Sequence, residues 1–283
     1  MKPPDFDYAK PASVAEAVQQ LAGDPEAKVL AGGQSLIPLL AFRLAHPTTL
    51  IDLAGIEELA QVEQRNGTVA VGSMVRQRHA EHDDVLAEHC PLLVDALAHV
   101  AHPQIRSRGT LGGSVAHADP AAEVPAVLAA LDGRVRVAGP AGEREIEAAE
   151  LFLGFLTTSL AADEILVALE LPVAPPRTGT ACVEIVQRPG DYAIAGAVCQ
   201  VSVDTAGAPI DARLCLIGVS DRPHRAGSAE EALLSGAGPA EAGALARDGL
   251  DPPDDTQGSA EYRAHLATVV AERAFEQALE KVA

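Results

Sequence analysis

Hydrophobic and polar positions follow two rhythms along this chain. Near the start, Val14, Val18 and Leu21 recur at helical spacing. Ser13 stands where an N-cap would and Glu16 completes a capping box, so residues 13–22 predict a helix stopped at Gly23. Residues 28–31 predict a short strand running into Gly32-Gly33, and residues 36–44 a short helix with Pro38 near its first turn. Residues 49–53 predict another strand. Residues 1–55 thus read as a small α/β unit in which a strand delivers a glycine turn to a helix.

From Gln61 the period shortens to two. Residues 61–63 and 68–72 flank Asn66-Gly67, a hairpin signal. A helical region over 79–101, a helix over 121–131, strands at 134–137 and 144–146, and an apolar strand over 164–171 follow. Pro172, Pro175, Pro176 and Gly179 interrupt the pattern and predict a boundary. The chain divides there into residues 1–176, with subdomains at about 1–55 and 56–176, and residues 177–283. Beyond the break, strands at 181–188, 195–203 and 212–219 predict an antiparallel sheet. A closing helix over 259–281 would pack on that sheet through Tyr262, Leu266, Val269, Val270, Ala274 and Ala278.

Composition narrows the function classes. Among 283 residues, 48% are apolar, enough for a packed core, and no apolar run is long enough to span a bilayer. The net charge of -19 and the 3% aromatic content argue against a nucleic-acid partner. Met1 to Asp5 carry no apolar segment of the secretory kind, so a reducing cytoplasm is expected. Cys90, Cys182, Cys199 and Cys215 lack the spacing of zinc or iron–sulfur ligands. His79 and His82 share a helical face, but His89 lies two turns on from His82 and no third zinc ligand beside the pair is evident, so no metal is expected in this chain.

The candidate chemistry lies in two glycine pairs about 80 residues apart, Ala31-Gly32-Gly33-Gln34-Ser35 and Thr110-Leu111-Gly112-Gly113-Ser114. Adjacent glycines beside small polar residues let backbone amides approach an anion closely. Arg106 and Arg108 precede the second pair and could help hold a phosphate. The single-turn Gly-x-Gly-x-x-Gly fingerprint is missing, which favours two loops gripping one ligand.

These motifs carry a resemblance. Residues 29–38 resemble the first flavin-binding loop of the medium, FAD-carrying subunit of molybdenum hydroxylases, the xanthine dehydrogenase and aerobic carbon monoxide dehydrogenase family. Residues 105–123 are similar to the second loop, and Gln187 to Ala195 to the motif opening the family's C-terminal domain. The resemblance implies an α+β fold: a vanillyl-alcohol oxidase (PCMH)-type FAD-binding domain of two α/β subdomains, then a C-terminal domain of a three-stranded antiparallel sheet with helices. It implies FAD, with Val29, Leu30, Ala31, Gly32, Gly33, Gln34, Ser35 and Leu36 in the first loop, and Arg108, Thr110, Gly112, Gly113, Ser114 and His117 in the second. Val100, Ala101, Ile165 and Leu166 would line the flavin, and Tyr192 would lie near its ring. Asp119 and Glu123 would accept hydrogen bonds from ligand hydroxyls. Asp119 also suits an N-cap before Pro120 as first helical residue. Some related subunits carry Lys where this chain has Glu184.

The resemblance further implies an electron-transfer subunit with no catalytic base of its own. A large molybdopterin subunit and a small subunit with [2Fe-2S] clusters would be its partners, in a dimer of heterotrimers. Electrons would pass to NAD, oxygen, a quinone or a carrier protein. Two other readings stand beside it: a free-standing FAD oxidase or dehydrogenase, and a non-enzymatic flavin-binding assembly module.

Overall fold

A three-stranded parallel sheet opens the chain in the computed structural model, which describes residues 2–282. β1 (Asp7–Ala9), α1 (Val14–Gly23), β2 (Lys28–Leu30), α2 (Leu36–Ala41) and β3 (Thr49–Asp52) follow in order, with β3 central. Ser13 caps α1 by accepting from the Glu16 amide at 3.2 Å, and the Glu16 carboxylate reaches back to the Ala12 amide at 2.8 Å. This local satisfaction of free amides is why the helix starts there.

The second subdomain is built on an antiparallel sheet. β4 (Val62–Arg65) and β5 (Thr68–Gly72) form the expected hairpin, with Asn66 and Gly67 at φ 51° and 80°. The stretch read as one helical region is three short helices: α3 (Gln77–Ala80), α4 (Asp84–His89) and α5 (Pro91–Leu97). Asp83 caps α4 through the Leu86 amide at 3.1 Å, and Pro91 has no amide hydrogen with which to continue it. Then come α6 (Pro103–Arg106), α7 (Leu111–His117), α8 (Glu123–Ala130), β6 (Arg134–Gly139), β7 (Gly142–Glu147), α9 (Ala148–Leu151), β8 (Phe152–Gly154), β9 (Thr157–Thr158) and β10 (Ile165–Pro172). The sheet order is β4-β5-β10-β6-β7, so the apolar β10 runs through the middle.

Residues 173–177 connect to three long antiparallel strands, β11 (Thr178–Ile185), β12 (Ala195–Val203) and β13 (Pro209–Ile217). A two-residue β14 (His224–Arg225) adds to the β13 edge. α10 (Gly227–Leu234), α11 (Pro239–Ala244) and α12 (Ala260–Lys281) cover one face. The buried stripe of α12 is Arg263, Leu266, Ala267, Val270, Ala271, Ala274, Phe275 and Ala278. Tyr262 is instead exposed and Val269 only half-buried, one helical step off the stripe expected from the sequence. Arg263 takes the buried place because its guanidinium donates to the Gly218 carbonyl at 2.7 Å, to the Ile194 carbonyl and to both Asp255 oxygens.

The other face of this sheet packs on the second subdomain. Cys182, Val198, Cys215 and Ile217 share a core with Leu92, Leu93, Leu97 and Val127 from α5 and α8. Every residue of β12 is therefore buried, which explains why its residues are apolar or small except for Gln200.

Candidate functional site

β2 ends at Leu30 and α2 begins at Leu36, so the first glycine pair fills a five-residue turn. Gly33 has φ +74°, a left-handed conformation that side chains disfavour. Among the described residues, no acceptor takes the amide hydrogens of Gly32, Gly33, Gln34, Ser35 or Leu36; helical bonding begins with Ile37 donating to the Gly33 carbonyl at 3.0 Å. The Gln34 side-chain amide donates to the Gly32 carbonyl at 3.1 Å and stitches the turn. Ser35 caps no amide, so its hydroxyl is also free.

The second glycine pair behaves differently. It lies in the first turn of α7, not in a loop. Thr110 caps that helix by accepting from the Gly113 amide at 3.0 Å, while Gly112 donates to the Ser73 carbonyl at 3.0 Å and Ser114 to the Thr110 carbonyl at 3.1 Å. The expectation that both motifs present free amides holds for the first only. In the second, the hydroxyls of Thr110 and Ser114 are the available groups, and glycine serves close approach. A Cβ on Gly112 would stand 2.4 Å from the Ser73 Cβ, and one on Gly113 would stand 2.7 Å from the Thr110 Oγ1 and 3.3 Å from the Ala31 Cβ. A Cβ on Gly32 would stand 2.4 Å from the Arg108 carbonyl oxygen. The two motifs are thus pressed backbone to backbone.

Together they wall a cavity of about 770 Å³. Of the residues singled out in the sequence, Val29, Ala31 to Leu36, Val100, Ala101, Thr110, Gly112, Gly113, Ser114, His117, Asp119, Glu123, Ile165, Leu166 and Tyr192 line it. Two do not. The Leu30 side chain packs beneath Gly33, and Arg108 is exposed outside the lining. Arg106 does not reach the cavity either. It is buried, pairs with both Glu81 oxygens at 3.1 Å, and donates to the Val100 carbonyl at 2.7 Å and the Ala101 carbonyl at 3.3 Å. Ala101 sits at φ +41°, a strained position for a residue with a Cβ, and Arg106 holds it in the wall.

Asp119 is not the N-cap of α8. It accepts from the Ala121 amide at 2.9 Å in a turn that follows the left-handed Ala118, and α8 starts only at Glu123. Pro120 lies outside the helix, where its carbonyl accepts from the Gly218 amide at 3.0 Å. Asp119 and Glu123 still meet at the cavity. Burial, reinforced by the charge of Glu184, pushes the Glu123 carboxyl up to about 8, so it is largely protonated at neutral pH. Tyr192 is 56% exposed, and partial burial of its phenol at the cavity rim, with Asp119 and Glu123 nearby, pushes it up to about 12.

The cavity also recruits residues the motifs did not point to. Ser73 and Gln77 lie in its wall, and the buried Ser73 Oγ and Gln77 Oε1 have no hydrogen-bond partner. His102 stacks over Gly190, where a Cβ would stand 2.2 Å from its Cε1. The local signs of a close approach here are the small Ser73 just after β5, against Gly112, and Gly109, where a Cβ would stand 2.4 Å from the Gln77 Oε1. The three histidines weighed as a zinc site are occupied separately: His79 faces Asp83 at 3.5 Å, His82 Nδ1 meets the Glu81 carbonyl at 3.0 Å, and His89 lies 4.0 Å from Glu88.

A run of free amides, orphaned polar atoms, glycines with no room for a Cβ and the apolar wall of Val100, Ile165 and Leu166 fit a phosphate-bearing cofactor with a flat ring system. Comparison with known proteins supplies its identity. Residues 4–174 match the FAD binding domain in molybdopterin dehydrogenase, and residues 182–278 match the CO dehydrogenase flavoprotein C-terminal domain. The chain belongs to this family. It is 41% identical over 286 residues to the 6-hydroxypseudooxynicotine dehydrogenase complex subunit alpha of Paenarthrobacter nicotinovorans, covering 99% of this chain and 97% of that protein. Among solved structures, it matches a chain of quinoline 2-oxidoreductase from Pseudomonas putida 86 with a TM-score of 0.94 at 40% identity, over 100% and 99% of the two chains. It matches carbon monoxide dehydrogenase from Hydrogenophaga pseudoflava with a TM-score of 0.96 at 35% identity, over 100% of both. The chain is therefore a medium, FAD-binding subunit of the molybdenum hydroxylase family, an oxidoreductase component with the expected α+β fold.

Proposed function

We propose that this subunit carries electrons from [2Fe-2S] clusters of a small partner, fed by a large molybdopterin partner, to an external acceptor such as NAD, oxygen, a quinone or a carrier protein. The observation that carries the reading is the cavity between the two glycine motifs, with its five free amides on one side and its apolar wall on the other. FAD, when bound, exchanges electrons singly or in pairs and so joins one-electron donors to a two-electron acceptor. The chain's own residues position it. Gly32 to Leu36 offer amide donors for the pyrophosphate, with the Ser35, Thr110 and Ser114 hydroxyls beside them. Val29, Val100, Ala101, Ile165 and Leu166 exclude water. Asp119 and Glu123 hold ligand hydroxyls, Tyr192 and His117 flank the cofactor, and Gln34 shapes the turn.

In this reading residues 1–176 form the FAD-binding domain and residues 177–283 the C-terminal domain that closes it. The working assembly is a dimer of heterotrimers in the cytoplasm. No helix among the described residues is long and apolar enough to cross a membrane. Purification from the native source tests the proposal. Flavin, iron and molybdenum should co-elute with this chain. A chain that elutes alone, with a flavin reduced directly by a small alcohol, would establish the free-standing oxidase instead.

A further inference from the structure

Successive residues of β11 point to opposite faces, so Thr180, Cys182 and Glu184 share the face turned toward α5. Asp95 on α5 accepts from the Thr180 hydroxyl at 2.9 Å and from Lys281 at 2.7 Å. His99, just beyond α5, places its Nδ1 3.6 Å from Glu184 Oε2. The Cys182 sulfur completes a trio whose donor atoms all lie within 4.8 Å of one another. The Glu184 side chain is only 6% exposed, yet its Oε1 has no hydrogen-bond partner. A buried carboxylate oxygen without a partner is costly and calls for a proton or a cation. The neighbouring charges sharpen the demand. Asp95 is acidic, and Lys281, the nearby ammonium, is engaged by Asp95 rather than by Glu184.

We propose that His99, Cys182 and Glu184 bind one zinc-class divalent ion, outside the FAD cavity. Thiolate, imidazole and carboxylate are the donor types such an ion takes. Tetrahedral bonds of about 2.0–2.3 Å would set the donors roughly 3.3–3.8 Å apart, so small side-chain rotations close the trio around the metal. A pocket of about 440 Å³, lined by His99, Cys182, Glu81, His82, Asp95 and Lys281, gives solvent access and room for a water as fourth ligand. Ligation replaces the thiol proton of Cys182, which leaves to solvent, and gives Glu184 Oε1 its missing partner. The site spans two parts of the fold, His99 on one side and β11 on the other, so the metal would clasp them.

The test uses the full chain with its flavin. The protein is stripped with a chelator, dialysed, and titrated with Zn2+ against a competing indicator, and bound zinc is counted by elemental analysis. Co2+ replacement is read by difference absorption for the near-ultraviolet band of a thiolate ligand. One equivalent of zinc, a thiolate band, and weakening in Cys182→Ser, His99→Gln and Glu184→Gln beyond the ~10–100-fold that a merely supporting residue costs are expected. His79→Gln, on the surface beside Asp83, should bind as the parent does. Flavin content measured in the same samples reports whether each variant is folded, and Glu184→Gln preserves side-chain shape if Cys182→Ser does not fold. Absence of stoichiometric zinc, absence of the thiolate band, or zinc binding unaffected by the folded variants would overturn the proposal.

Discussion

Gly32→Ala is the most discriminating change available at the cofactor site. Its Cβ would stand 2.4 Å from the Arg108 carbonyl oxygen and 2.8 Å from the Gly109 Cα, both backbone atoms that no rotamer change can move aside. Ordinary contact begins at 3.4 Å, so the first turn and the segment before α7 must part by about 1 Å. Overpacking of this kind costs the fold ~1–3 kcal/mol. The ligand feels it more. A charge-assisted N–H···O bond of about 2.8 Å stretched by that distance is effectively lost. Two such bonds, at ~1.5–3 kcal/mol each, amount to ~3–6 kcal/mol, or a ~10²–10⁴-fold weaker FAD affinity. The assay is FAD titration of the flavin-stripped chain, followed by quenching of flavin fluorescence. Gly23→Ala is the control, because a Cβ there meets nothing within 4 Å. If Gly32→Ala binds FAD within about threefold of the parent while remaining folded, the backbone-to-backbone clamp is wrong.

Gly33→Val should also release FAD from a folded chain, because φ +74° disfavours a β-branched residue and its Cβ would crowd Ile37 at 3.1 Å; retention of flavin after gel filtration is the measure. Arg106→Met should destabilise by about 1–3 kcal/mol, because the Val100 carbonyl loses its buried donor and Glu81 keeps only Arg78 as a partner, and Arg106→Met with Glu81→Met should recover only part of that in urea unfolding. The hydrogen bonds from Arg263 hold the Asp255 carboxyl below its ordinary value. A depressed folded value adds stability above the unfolded pKa near 3.9 and loses it as pH falls through the folded value. Asp255→Asn should therefore unfold at lower urea than the parent at about pH 7, with the gap narrowing by about pH 3.

Much of the fold was legible because strand and helix periods are local. The hairpin at Asn66-Gly67 follows from alternation and turn chemistry, and the three long strands after Pro172 from apolar runs bounded by breaks. Features that depend on partners far along the chain were not legible. α7 is such a case: two glycines read as a loop, yet Thr110 caps them into a helix and Ser73, some forty residues earlier, takes the Gly112 amide. Arg106, which by sequence could help hold a phosphate, and Arg263 instead each fill a place among buried carbonyls and a carboxylate that only tertiary packing assembles. At the cofactor site, the glycine motifs named most of the lining. The sequence did not reveal that only the first retains free amides. The meeting of His99 with Cys182 and Glu184 is illegible for the same reason: two share a strand face, and the third arrives from another subdomain, so no ligand spacing marks them along the chain.

The burial of β12 on both faces has a mechanical consequence. A strand clamped between α12 and the α5–α8 layer cannot act as a sliding surface, and residues 173–177 cannot serve as a hinge without tearing that shared core. The two halves of the chain move as one block. Cofactor loading is then no clamshell closure. The expected route is local opening of a short segment such as the β8–β9 turn, where Leu156 lines the cavity. The flavin-free and flavin-loaded chains would share one hydrodynamic radius, and the rate of cofactor capture would track loop motion rather than the separation of halves.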